Sequence, residues 1–169
     1  MRILRCTVDH FRGFDTIDIV PRGHVLLVGE PRSGRSDLLA ALCKVLESEV
    51  SRLDEMDFHG ADTTRDVRIE ITLGDLDHEP RQRFLDEIEF WDETAAALVE
   101  EVDDPSTLGA NVMSALRLAY RGRWDDVEER AEQTIYWAKT SDPSTDDLRR
   151  VSRNDRSALP LFAWSPAGP

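Results

Sequence analysis

Lysine is nearly missing from this chain: Lys44 and Lys139 are the only two, against 19 arginines in 169 residues. A task that other proteins give to lysine must therefore be sought at arginine as well. Cysteine is equally scarce. Cys6 and Cys43 both fall within apolar patterns, so buried free thiols are expected rather than a disulfide or a metal pair. No apolar run reaches the ~18 to 20 residues of a membrane span. Met1–Arg5 lacks the long apolar stretch and small-residue cleavage site of a signal peptide. Repeats and low-complexity linkers are also lacking. The expectation is one domain over residues 1–169, cytoplasmic by default, with no contact to a membrane.

Positive charge is short as well, and unevenly so. The net charge is −13. Met1–Ala40 carries six basic and five acidic residues, Ala41–Ala110 six and twenty, and the remainder nine of each. The acidic middle repels a phosphate backbone, which argues against non-specific DNA binding by this segment alone.

What is present begins with pattern. Arg2–Val8 reads as a strand, and Asp15–Val20 as a second, with Phe11-Arg-Gly-Phe14 as the turn between them. After a turn at Pro21–Gly23, His24–Val28 is a short continuous apolar run, which suits a strand buried on both faces in a parallel sheet. Asp37 to about Val50 spaces Leu38, Leu39, Leu42, Val45 and Leu46 as one face of a helix. Residues 1–50 thus read as strand, strand, strand, glycine loop, helix.

Residues 51–169 read as a further sheet strand, a helical insertion and a hairpin. Ser51–Asp66 is polar and turn-rich. Val67–Leu73 alternates as a half-buried strand. Glu79–Val102 is expected to be helical in two pieces, with Phe84, Leu85, Ile88 and Trp91 on one stripe, and Thr107–Ser114 adds a short helix. Leu116–Tyr120 and Ile135–Trp137 form an antiparallel hairpin around Arg121–Asp126. Asp142–Thr145 is read as a helix start and Leu159–Trp164 as a last strand.

The residues that carry chemistry lie between the third strand and the first helix. They are Gly29, Glu30, Pro31, Arg32, Ser33, Gly34, Arg35 and Ser36, followed by Asp37. Their spacing is that of a P-loop. Glycines let backbone N–H groups turn inward around a phosphate in conformations a Cβ would hinder. The helix N-terminus adds unpaired donors and its dipole. A basic side chain then reaches the β/γ-phosphates, and the next residue's hydroxyl binds Mg²⁺. Here Arg35 stands in the lysine position and Ser36 in the hydroxyl position.

With that loop in place, Met1–Val50 resembles the heads of RecF, SMC and OLD-family ATPases: a first strand, a Phe-Arg-Gly-Phe turn, a second strand, then an apolar strand entering the glycine loop. From Leu116 onward the resemblance rests on a hairpin and an Arg-x-x-Leu-Pro segment, Arg156 to Pro160. The resemblance implies an α/β fold of the ABC-type head, with a mixed sheet, an antiparallel hairpin and flanking helices. It also implies ATP and Mg²⁺ as cofactors, Arg12 approaching the phosphates, and a head-to-head homodimer. A nuclease domain or subunit would be the partner, with DNA met only through the complete assembly, in DNA repair or phage defence.

Departures from that pattern are specific. Arg35 is larger than lysine and grips phosphate as a fork. Pro31 removes an N–H donor, and Arg32 adds positive charge. No four-residue apolar run ends in Asp-Glu, the pair that would hold Mg²⁺ and polarise water; Ile69–Asp75 is the nearest and reads as a plain strand. The chain is expected to be the first lobe of a longer ATPase, and an ATPase only if completed by elements lying elsewhere. The alternative is a non-catalytic interaction module with a degenerate loop. Asp75–Glu79 and Glu100–Asp104 read as a helix start and a solvated helix end rather than metal loops. His10, His24 and His59 are scattered, the tryptophans read as core or lobe interface, and Arg149, Arg150, Arg153 and Arg156 read as partners for the acidic middle.

Overall fold

The computed structural model describes residues 1–23, 25–47, 51–100, 102 and 104–159. It contains both helix and strand, organised on one seven-stranded sheet. The strands are β1 (Arg2–Phe11), β2 (Phe14–Ile19), β3 (Val67–Gly74), β4 (Glu89–Asp92), β5 (Ala97–Leu98), β6 (Val112–Asp125) and β7 (Arg130–Trp137). The helices are α1 (Arg35–Leu46), α2 (His78–Arg83) and α3 (Arg153–Ala158). The strand order is β2-β1-β3-β6-β4-β5, with β7 also on β6.

Alternation decides which face is buried. Cys6, Ile71 and Leu118 stand side by side across β1, β3 and β6, as do Val8, Ile69 and Tyr120. All six belong to the core that also holds Leu38, Ala41 and Val45 of α1. The intervening residues are polar and pair across strands: Arg117 reaches Glu89 at 2.8 Å and Glu70 at 3.2 Å, and Arg5 reaches Asp18 at 2.7 Å. A sheet with one apolar and one charged face is the usual antiparallel solution. Leu4 breaks the alternation, because the register between β1 and β3 shifts between Ile3 and Arg5. This bulge lets Leu4 join a second small cluster with Trp91 and Ala115.

Every strand pairing among the described residues is antiparallel. The expected mixed sheet with a parallel strand entering the loop is therefore corrected. Residues 25–28 form no strand, and Leu26 and Val28 are 85% and 79% exposed; His24 lies outside the described residues. A strand buried on both faces needs neighbours on both edges, and none of the described strands takes that place.

The helical expectation for Glu79–Val102 holds for α2 and a 3-10 turn, Leu85–Glu87, and fails beyond it. Leu85 is 69% exposed and so leaves the stripe. Trp91 sits instead in β4, where its side chain is buried. Asp92 Oδ1 accepts from the amides of Thr94 and Ala95 at 2.7 and 3.1 Å, an Asx turn that leads into β5. Thr107–Ser114 is no helix: a single 3-10 turn, Pro105–Thr107, precedes β6. The hairpin is longer than expected, and Arg121–Asp125 belongs to β6 rather than to the turn. Asp142 starts no helix but accepts from Ser144 N at 2.9 Å. α3 was not foreseen. The expected end of α1 beyond Glu47, together with Glu101 and Asp103, lies outside the described residues; of the strand expected over Leu159–Trp164 only Leu159 is described, and it caps the end of α3.

Candidate phosphate-binding loop

α1 is set in place by the loop before it. The amide of Ser33 donates to Glu30 O at 3.2 Å, with Pro31 and then Arg32 at the corners and Arg32 at φ 69°. Proline followed by a positive φ is the signature of a type II turn. A Cβ on Gly29 would sit 2.5 Å from Ser33 Oγ, so any larger residue there would force Ser33 to shift. Gly34 has φ 83° and starts α1: the amide of Leu38 donates to its carbonyl at 2.9 Å, and no side chain caps the helix. Uncapped amides at the start of a three-turn helix are anion donors.

The Phe-Arg-Gly-Phe turn packs directly on this helix start. A Cβ on Gly34 would meet the Phe14 ring at 3.0 Å, and one on Gly13 would meet Asp37 Oδ2 at 3.0 Å. Arg12 therefore lies beside the loop, with Nη1 3.7 Å from Asp37 Oδ1 and Nε donating to Asp57 Oδ1 at 2.7 Å. Its amide donates to Asp57 O at 2.8 Å, and its carbonyl lies 2.8 Å from His59 Nδ1.

Sequence reasoning missed Asp57 and Lys44, the supports behind Arg12. Asp54 and Asp57 form a reciprocal capping box around a 3-10 turn, Glu55–Asp57. Lys44 is 3% exposed, and its Nζ donates to Ser51 O and Arg52 O at 2.9 and 3.0 Å, 4.0 Å from Asp57 Oδ2. Burial pushes its pKa down, with Asp57 opposing. The Asp-x-x-Asp spacing and a rare lysine within an apolar helix pattern were the available signals.

The loop's own charged side chains point to solvent. Glu30, Arg32, Arg35 and Ser36 are exposed, and Arg35 Nη2 makes a long contact, 3.4 Å, with Glu30 O. An exposed Ser36 hydroxyl in the first helical turn suits Mg²⁺, which takes few protein ligands and fills its shell with phosphate oxygens and water. No cluster of three or more metal-ligating side chains occurs among the described residues.

Most of the other candidates have structural partners, but the expected pairing of Arg156 with the acidic middle is not seen: its Nε and Nη2 have no hydrogen-bond partner among the described residues. Asp75 pairs with Arg2 at 2.8 Å, and Asp77 immediately precedes α2. His10 Nε2 lies 2.6 Å from Asp62 O. Trp91 and Trp137 are buried, and Trp124 stands edge-on to Phe58. Trp164 lies outside the described residues. Arg149 meets Glu87 at 2.9 Å, as expected of a partner for the acidic middle. No family model matches the chain, and no curated protein matches it in sequence.

Proposed function

We propose that this chain is the ATP-binding part of an OLD/RecF/SMC-like ATPase, serving DNA repair or phage defence. The observation that carries the reading is the docking of Phe11–Phe14 onto an uncapped helix start reached through Gly34. It brings Arg12 beside the backbone donors that would face a phosphate. Gly29–Ser36 would form the anion cradle, Arg35 and Arg12 would add charge at the phosphates, and Ser36 would bind Mg²⁺. Bound Mg²⁺ would neutralise phosphate charge; the chain's own part is to hold and orient the nucleotide.

The exposed run Val25–Val28, with no parallel strand beside it among the described residues, stands against this reading, which requires the rest of the assembly to supply the neighbouring strands. That assembly would be a head-to-head dimer completed by hydrolytic elements and a nuclease domain or subunit, with DNA engaged only there. Calorimetric titration with Mg-ATP tests the proposal. Binding in the micromolar-to-millimolar range, weakened by Arg35→Ala, is expected. A folded protein that binds no ATP at high concentration overturns it.

One alternative has an observation of its own. Pro31 removes a donor, and Arg35 leans on its own loop carbonyl, which favours a non-catalytic interaction module that keeps the loop without nucleotide. Arg35→Lys separates the readings. A gain in affinity marks a weakened nucleotide site, and no response marks a scaffold.

A further inference from the structure

Arg12 is held at one end of its guanidinium and left open at the other. Nε donates to Asp57 Oδ1 at 2.7 Å, and the guanidinium carbon stands 5.1 Å from the centroid of the buried Phe11 ring. The backbone is fixed with it. The amide of Arg12 donates to Asp57 O at 2.8 Å, its carbonyl lies 2.8 Å from His59 Nδ1, and Phe11 bridges to Phe58. These contacts keep Arg12 at φ 48°, a left-handed conformation that a side chain makes costly.

Elsewhere in the fold an arginine gives two nitrogens to one carboxylate. Arg5 presents Nε and Nη2 to Asp18 at 2.9 and 2.7 Å, and Arg117 presents the same edge to Glu89 at 2.8 and 2.9 Å. Asp57 takes one. Its other oxygen accepts from Asp54 N at 3.0 Å in the capping box and faces Lys44 Nζ at 4.0 Å, so that oxygen is already engaged. Neither Nη nitrogen of Arg12 makes a hydrogen bond among the described residues. Nη1 stands 3.7 Å from Asp37 Oδ1, in the first turn of α1, and the side chain is 37% exposed. The guanidinium is thus held in place while two of its nitrogens remain donors.

We propose, on the reading of the loop as a nucleotide site, that Asp57 is the positioning residue for Arg12: by taking Nε alone it aims the Nη pair at the phosphate oxygens of a nucleotide. Asp57 itself does not touch the nucleotide. Without it Arg12 swings to Asp37, the other acid within 4 Å among the described residues, and the charge meant for phosphate is neutralised. A guanidinium suits this arrangement because its donors lie in a fixed plane, one edge fixed by the protein and the other offered to a ligand.

The test is a cycle of Asp57→Asn, Arg12→Ala and the double variant in the full chain. Mg-ATP affinity is read by calorimetry, and the fold of each variant by ¹⁵N–¹H spectra. Asp57→Asn is expected to weaken binding about tenfold when Arg12 is present and less than about twofold in Arg12→Ala. An equal loss in both backgrounds makes Asp57 a structural support only and overturns the proposal, as does an unchanged affinity in Asp57→Asn. Arg12→Lys covers the case in which Asp57→Asn does not fold. Its single ammonium cannot meet Asp57 and a phosphate from opposite edges, so it should bind about as weakly as Arg12→Ala. Wild-type affinity in Arg12→Lys overturns the proposal. A wild-type chain that binds no Mg-ATP is a different result: it removes the nucleotide reading, and the role of Asp57 falls with it.

Discussion

Asp57 holds together the groups behind the loop. One oxygen accepts from Arg12 Nε at 2.7 Å; the other accepts from Asp54 N at 3.0 Å and faces Lys44. Removing it leaves a buried ammonium with only two carbonyls and frees Arg12. Asp57→Ala is expected to cost about 3 kcal/mol in urea unfolding; a loss below about 1 kcal/mol would show Lys44 and Arg12 to be independent of it. The thiols behave as the apolar pattern implied for Cys6, which is buried, with burial pushing its pKa up to about 12. Cys43 is only partly buried, and burial with Glu47 pushes it up to about 11. At pH 8 Cys6 should therefore resist a thiol reagent until denaturant is added, and Cys43 should react slowly. Rapid modification of two thiols in the folded protein would contradict the packing of β1.

At the scale of elements, the loop and α1 depend on a backbone that only glycine adopts freely. Gly34→Ala places a Cβ against Phe14 at φ 83° and should cost about 2 kcal/mol while weakening anion binding. Thermal melts and calorimetry check both, and a neutral result would mean that the turn does not pack on α1. The elements legible in the sequence were those with one clear period. β1, β2 and β3 alternate, α1 repeats with helical spacing, and the β6–β7 pair was recognised though placed too far inward. The segment after Glu87 was misread because Phe84, Ile88 and Trp91 satisfy helical spacing, while the turn chemistry of Asp92 carried little weight beside it. The run before the loop was misread for another reason: continuous apolarity signals a need for neighbours on both edges but does not supply them. Leu26→Asp and Val28→Asp should accordingly change unfolding free energy by no more than about 0.5 kcal/mol. A loss of about 2 kcal/mol or more would return the run to the interior.

For the whole molecule, one face of the sheet is apolar and the other is laced with arginine–carboxylate pairs, so acid should unfold it in a defined window. Asp18 is held below its ordinary value of 3.8 by Arg5, and Asp146 by Arg121 and Arg123. Asp155, against the upward pull of burial, is held below by Ser152 and Arg83. Carboxylates with lowered folded values contribute stability that is fully present above the ordinary value and is lost as pH falls through the folded ones. Urea midpoints should therefore show no change from these groups between pH 7 and about pH 5 and a decline below about pH 4, shallower in Asp18→Asn. A decline already complete at pH 5 would place the acid sensitivity in other groups.

Nucleotide binding as proposed depends on main-chain amides at the start of α1 facing an anion. The most direct measurement is a ¹⁵N–¹H titration of the folded protein with Mg-ATP. Saturable downfield shifts of the Gly34, Arg35 and Ser36 amides are expected, with a common affinity that Arg35→Ala lowers. Amides at these positions that stay still while ATP is in excess would contradict nucleotide binding there.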